Sequence, residues 1–417
     1  MQLTDKNWKD ERKMKIQSRA AFAEAFFLLF VLLKQFYIFP SGGVGIADAC
    51  LFVSFFLLLW DCLKEKKNSF RFQEDRLLYV FLFFVIAINI CYGILLKKTE
   101  FFRYSVFWIY NVGAIWVFRK LACWNGQRFL VELNWIAKGN ILLQLLIYVS
   151  GHGRIFYEYW GAIRYQGTFN DPNQLAVFLF LMILLQYLYS CQYRDRTFLL
   201  FYILAIPVIM ASKSTGVLLG ILVFTILVVV YFSYRVASRH HSARKIWLLG
   251  VLGGFLVIAL FLWWIWPSAE FDVKAMDYNV LTRIQEKLWK IAHGGLGGLF
   301  LDRGMDKLLI YPQYLLYGAG EGGFERFTLA GQSNEIHCCL FSILFCYGII
   351  PTVILLVWLV QNLRYATASM KCAAAALLVE SFFLINYRQP LFWMILLYGS
   401  VIKKNQTLDE CKEEDSK

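Results

Sequence analysis

IWLLGVLGGFLVIALFLWWIWP, residues 246–267, runs for twenty-two positions without a charged side chain. At about 1.5 Å per residue, a helix of that length covers the roughly 30 Å of hydrocarbon in a bilayer. Comparable runs recur outward from it, between residue 20 and residue 402. They give twelve candidate spans: 20–39, 42–61, 77–96, 104–122, 130–150, 173–191, 197–211, 215–234, 246–267, 337–361, 372–386 and 390–402. The whole chain agrees, with 59% hydrophobic and only 17% charged residues among 417; a soluble chain carries about 25% charged residues. A soluble protein, a disordered chain and a secreted disulfide scaffold are excluded. Lipid offers backbone groups no partner, so a spanning segment is a helix or part of a closed barrel. A barrel needs alternating polarity, and these runs are continuous. The expected fold is all-α: a polytopic helical membrane protein with about 12 transmembrane helices and one long extracytoplasmic loop containing short helices.

The net charge of +13 would suggest nucleic acid in a soluble protein. Here the cations sit between apolar runs and read as topology markers, with no nucleic-acid partner. With the N-terminus inside, cytoplasmic segments hold 26 Lys and Arg against 7 in the short outer loops. That bias puts both termini in the cytoplasm. The chain then divides into a cytoplasmic segment 1–19, helices 1–9 over 20–267, a large extracytoplasmic loop 268–336, helices 10–12 over 337–402 and a cytoplasmic tail 403–417. The first span follows nineteen charged-rich residues and is too long for a cleavable signal, so it reads as an uncleaved anchor. The spans 197–211 and 390–402 are short, as for helices that end at a wet site. Within the loop, 278–292 places Val280, Leu281, Ile284, Leu288 and Ile291 on one helical face, with Arg283, Lys287 and Lys290 off it. This is an amphipathic helix that either lies on the outer interface or packs over the membrane domain.

Ten cysteines include no CxxC pair. Most lie in apolar runs and read as small hydrophobes. The His residues are scattered apart from His240–His241, and no metal site is expected.

Four polar clusters fall on the outer side, against the positive-inside trend. The first is 151–174, GHGRIFYEYWGAIRYQGTFNDPNQ. Asp171 there is a candidate N-cap with Pro172 at the first helical position. The free N–H groups and positive dipole end would favour an anion, and Arg164 would add a bidentate donor. Asn170 and Asn173 flank the cap. A plain cap beside a headgroup-paired arginine accounts for the same residues. The second is Ser212-Lys213-Ser214-Thr215-Gly216, three hydroxyls and a cation in a tight turn. The third runs from Arg303 through YPQYLLYGAGEGGFERF to Glu335 and His337. Its Gly318, Gly320 and Gly323 match GxGxxG formally, but without a βαβ unit they read as a loop folded tightly on the membrane domain. The fourth is Arg388, with Glu380 about two helical turns earlier as its candidate partner.

Taken in order, Arg164 with GTFNDPNQLA, SKSTG, the long loop with Arg303 and YGAGEGGFERF, and NEIHCCLFSILFCYGIIP resemble the O-antigen polymerase / O-antigen ligase superfamily of bacterial membrane glycosyltransferases. The resemblance covers about 150–400; earlier spans match in layout only. It implies a multi-pass enzyme of the bacterial cytoplasmic membrane that moves a glycan from an undecaprenyl-diphosphate carrier to an acceptor hydroxyl, without metal or cofactor. It also implies a flippase and a chain-length regulator as pathway partners. On the same basis Arg164 contacts the diphosphate, Arg303 is the second such arginine with Arg283 as competitor, and His337 binds or activates the acceptor. Cys338 and Cys339 depart from the family pattern.

The chemistry asks for little more. A lipid diphosphate leaves readily, so the enzyme needs cations for the departing charge, here Arg164 and Arg303, with Arg388, Lys213, Ser214, Asn170 and Asn173 as further substrate contacts. It also needs a base, His337 or Glu335. Tyr157, Tyr159, Trp160 and Tyr165 could stack on sugars or form an interfacial belt. The alternatives are an O-antigen ligase within the same family and a flippase of another class. A flippase would show charges along a central cavity and repeat symmetry, whereas only Glu24, Lys34 and Lys138 lie mid-span.

Overall fold

The structure, a computed structural model, describes residues 2–37, 45–64, 73–158, 163–238, 241–267, 279–330 and 335–414. Its helices are α1 (Gln2–Leu33), α2 (Ile46–Lys64), α3 (Arg76–Leu96), α4 (Glu100–Val149), α5 (Pro172–Tyr193), α6 (Phe198–Ser212), α7 (Thr215–Ala237) and α8 (His241–Trp264). They continue with α9 (Val280–Asp302), α10 (Lys307–Ile310), α11 (Tyr314–Tyr317), α12 (Cys339–Tyr347), α13 (Ile349–Leu363), α14 (Ala368–Glu380) and α15 (Pro390–Glu414). Among the described residues, six helices are long and apolar enough to cross a membrane: α2, α3, α4, α5, α7 and the Trp247–Trp264 part of α8. Shorter apolar helices lie at Phe198–Ser212, Ile349–Leu363 and Pro390–Lys403. This is a helical membrane protein.

The helix α4 reverses on itself. Asn125 within it has φ −137° and ψ 45°, outside the helical region. Phe118 and Phe129 have ring centroids 5.9 Å apart, and both pack on Phe27 of α1. Eleven residues of straight helix would set them about 16 Å apart. Further along, Lys34 lies 5.6 Å from the Tyr110 ring while the adjacent Gln35 donates to Asn140 at 2.8 Å. A straight helix would separate residues 110 and 140 by about 45 Å. The sequence runs 104–122 and 130–150 are therefore two antiparallel limbs joined at Asn125, with α1 packed on both.

Helix α5 is apolar on every face and occupies the centre: each residue from Leu175 to Leu188 is buried. Its N-terminus shows the expected cap. Asp171 accepts from the backbone N–H groups of Asn173 (2.7 Å) and Gln174 (3.2 Å), and Pro172 stands first in the helix. The mid-span charges find partners within the bundle. Lys34 pairs with Asp48 at 2.7 Å, Lys138 with Asp195 at 2.7 Å, and Glu24 accepts from Asn125 at 3.2 Å.

Two expectations need correction. The run 337–361 is not one helix, because Gly348 (φ 79°, ψ 175°) breaks it into α12 and α13. The carbonyls freed by the break are taken by the glycine loop: Ala319 N–H donates to Phe345 O at 2.9 Å and Gly320 N–H to Cys346 O at 2.8 Å. The run 372–386 is helical only to Glu380 and then turns. The expected amphipathic helix is present as α9, capped by Asn279, with Thr282 and Glu286 buried and Leu281 exposed among its described side chains. The fold also adds a β-hairpin to the helices, β1 (Arg154–Tyr157) antiparallel to β2 (Ile163–Gly167), with Phe156 opposite Arg164.

Candidate functional site

The hairpin buries Arg164 between α5 and the α6–α7 turn. Its Nε donates to Ser212 O (2.9 Å), Nη1 to Glu158 (3.1 Å) and Nη2 to Asn173 Oδ1 (2.8 Å). Arg164 and Asn173, both expected at the site, are thus in direct contact. Asn170 instead accepts from Arg154 at 3.0 Å. The N–H groups at the start of α5 are not open to an anion as expected, because the Asp171 carboxylate already takes two of them. Lys213 ends α6 in the left-handed region (φ 52°) and its Nζ donates to Ile163 O at 2.6 Å. Burial, helped by the Arg164 charge, holds its pKa below the ordinary 10.5. Ser214 is buried, and its hydroxyl has no hydrogen-bond partner among the described residues.

The α6–α7 turn carries contact onward. A Cβ at Gly216 would lie 2.9 Å from Phe383 Cβ, so α7 begins against the α14–α15 turn. Arg303 reaches the same turn from the end of α9. Its Nη1 donates to Phe383 O, and its guanidinium lies 5.5 Å from the Phe383 ring. The Arg303 carbonyl accepts from the backbone N–H of His337 at 2.9 Å. Burial is the largest influence on the His337 imidazole. With the charges of Arg303, Arg388 and Lys307 it holds the pKa below the ordinary 6.5, against the opposing pull of Glu335. The ring is therefore neutral at pH 7. Two residues away, Glu335 accepts from Tyr104 at 2.7 Å and pairs with Arg388 Nη1 at 2.7 Å. Burial would raise its pKa, but Arg388 and these hydrogen bonds outweigh burial and hold it below the ordinary 4.5.

Arg388 is not paired with Glu380 as read from the sequence. Its Nε (2.8 Å) and Nη2 (2.5 Å) both donate to Glu321, so all three nitrogens are engaged by Glu321 and Glu335. Glu380 accepts from Asn386 instead. Arg388 braces Glu321 against Glu335. Arg283 pairs with Glu286 on its own helix at 2.5 Å. It stands twenty residues before Arg303, about 30 Å along α9. Only Arg303 of the two is beside His337.

The glycines of the third cluster are packing devices. A Cβ at Gly318 would lie 2.6 Å from Cys346 O, and one at Gly320 2.8 Å from the Tyr92 ring. Sequence reasoning missed Glu158, Lys307 and Glu321. Glu321, set between Gly320 and Gly322, is a lone charge in a glycine run entering an apolar region, and that was its signal. Of the candidate sugar-stacking aromatics, Tyr157 is exposed, and Tyr165 packs edge-on against Tyr148 with centroids 4.9 Å apart. Tyr159, Trp160, His240 and the loop residues 268–278 and 331–334 lie outside the described residues.

The chain of contacts from Asn173 through Arg164, Ser212, Gly216, Phe383, Arg303 and His337 to Glu335 and Arg388 joins the four clusters at one end of the bundle. It links the cations Arg164, Arg303 and Arg388 with the imidazole of His337. No protein-family model matches this chain, and no curated protein matches it.

Proposed function

We propose that this chain is a membrane glycosyltransferase of the O-antigen polymerase / O-antigen ligase kind, polymerising undecaprenyl-diphosphate-linked repeat units into a surface polysaccharide. In this reading twelve spans cross the bacterial cytoplasmic membrane, both termini are cytoplasmic, and 268–336 is extracytoplasmic. The observation that supports it is the convergence of four sequence-separated clusters on one end of the bundle, with Arg303 bonded to His337 and joined to Arg164 through the α6–α7 turn. Pairing of Lys34 with Asp48 and of Lys138 with Asp195 leaves the mid-span charges a structural role, which favours an enzyme over a flippase.

In the proposed step the acceptor hydroxyl oxygen attacks the anomeric carbon of the donor sugar. The bond from that carbon to the phosphate oxygen breaks, and its electron pair leaves with the lipid diphosphate. The hydroxyl proton passes to His337, which is neutral at pH 7 and so able to take it. Glu335 is the poorer base, since Arg388 and Tyr104 hold it ionised and occupied. Arg164 keeps two N–H groups beyond its three bonds, and these with Arg303 and Lys213 answer the charge on the diphosphate. Polymerase is preferred to ligase because no feature of the sequence points to a lipid A-core acceptor.

The test is replacement of each group in a host that makes the polymer. His337→Ala and Arg164→Ala each abolish polymer on a glycan gel while the protein reaches the membrane at wild-type level. Normal chain lengths from both mutants would sink the assignment.

A further inference from the structure

We infer that Glu321 is a positioning residue, which fixes Arg388 so that Arg388 in turn fixes the Glu335 carboxylate beside His337. The inference rests on the proposed role of His337, and the geometry that carries it is independent of the substrate. Glu321 is fully buried. Its Oε2 accepts from Trp108 Nε1 at 3.3 Å and from the Tyr347 hydroxyl. Its Oε1 accepts from the Tyr387 hydroxyl at 2.7 Å and from Arg388 Nε and Nη2 at 2.8 and 2.5 Å. Its backbone N–H is also held, by Asn89 Oδ1 at 2.9 Å.

Five donors on one carboxylate leave it no freedom to turn. Two nitrogens of a planar guanidinium gripped by that carboxylate set the direction of the third. The third, Nη1, meets Glu335 Oε2 at 2.7 Å, while Tyr104 holds Glu335 Oε1 at 2.7 Å. Glu335 is therefore clamped at both oxygens two residues from His337. The charged groups acting on the imidazole come from three segments: Arg303 and Lys307 from the long loop, Glu335 from its own strand of chain, and Arg388 from the α14–α15 turn. Glu335 alone among them favours the imidazolium. If Glu321 loses its charge, the Arg388 cation is left to Glu335 and to the field at His337. The imidazole then becomes a weaker base.

The experiment uses the full chain in lipid nanodiscs and diethyl pyrocarbonate, which reacts with neutral imidazole. The rate of His337 modification is followed by peptide mass spectrometry across pH. Glu321→Gln is expected to displace the inflection to lower pH. Tyr347→Phe removes a hydroxyl from the opposite oxygen without touching Arg388, and is expected to lower the melting temperature and leave the inflection in place. Should Glu321→Gln fail to fold, Glu321→Asp serves, keeping the charge and withdrawing the oxygens; its inflection moves the same way by less. Polymer formation by Glu321→Gln falls about tenfold at its pH plateau, with the acid limb displaced in parallel with the inflection. An inflection unmoved in the folded Glu321 variant, or moved equally by Tyr347→Phe, overturns the inference. A displaced inflection in a protein that makes no polymer in its wild-type form upholds the positioning role and removes the glycosyltransferase reading instead.

Discussion

Replacing Gly348 by Ala separates the packing account of the glycine loop from any ligand-binding account. Gly348 sits at φ 79° and ψ 175°, a region reserved almost wholly to glycine. Holding an alanine there costs about 1–3 kcal/mol of backbone strain. The added Cβ would also lie 2.4 Å from Leu316 O and 2.9 Å from Leu316 C. Relieving that overlap moves the loop about 1 Å from the α12–α13 break. The hydrogen bonds from Ala319 to Phe345 and from Gly320 to Cys346, at 2.9 and 2.8 Å, then stretch beyond useful length. Each contributes about 1 kcal/mol, so the total loss is about 3–5 kcal/mol. Gly323→Ala is the contrast. It too has positive φ (54°), but its Cβ would meet nothing nearer than 3.4 Å, so it loses only about 1 kcal/mol. Thermal unfolding in detergent ranks the two, and limited proteolysis over 303–338 reports loosening of the loop. A Gly348→Ala protein that melts with the wild type, or above Gly323→Ala, refutes the reasoning.

Three more outcomes follow from the site. The His337 pKa is depressed below 6.5, so the unfolded chain takes up this proton before the folded one does. Stability therefore falls as pH drops from about 6.5 toward the folded pKa, and His337→Gln flattens that part of the profile in melts across pH. Glu335 works in a lower window, since its depressed pKa gives stability present above the ordinary 4.5 and lost as pH falls through the folded value. Lys213→Gly relieves a left-handed lysine (φ 52°) and is expected to raise stability by about 1 kcal/mol while reducing polymer formation. Lys97→Gly, at the same φ of 52° after α3, gives the stability gain with polymer unchanged. Equal activity in the two variants would remove Lys213 from the site.

What could be read in advance follows the range of the forces involved. Apolar runs are local, and they located the spanning helices α2, α3, α5 and α7. The Asp171–Pro172 cap is equally local, and it appears at the start of α5 as expected. The break at Gly348 was hidden because its cause lies thirty residues upstream: the loop at Gly318–Gly320 supplies the donors that make an interrupted helix affordable. The hairpin was hidden by length, since five residues of Ile163–Gly167 carry too little periodicity to stand against a helical background. Its trace was the alternation in Ile-Arg-Tyr-Gln just after Gly161. The partner of Arg388 was misread for the same reason of range. Glu380 is near in sequence, while Glu321 is sixty-seven residues away and adjacent in space.

Two arginines anchor opposite ends of the bundle, Arg119 fully buried and Arg388 partly exposed, and they differ in what they hold. Arg119 pairs with Asp75 at 2.8 Å, donates to Asn362 at 2.6 Å and faces Ser400, while Trp358 closes on the same carboxylate at 2.9 Å. Every residue of that set is buried. Arg388 begins in the same manner, with a buried carboxylate held by tyrosine and tryptophan donors. It does not end there. Its last nitrogen continues to Glu335, which is only half buried and stands two residues from His337. A buried ion pair returns little net stability once desolvation is counted. The buried pair at Arg119 fixes the ends of α3, α4, α13 and α15. The pair at Arg388 carries its rigidity outward to a partly exposed carboxylate two residues from an imidazole, the arrangement that the proposed proton-accepting role of His337 would need.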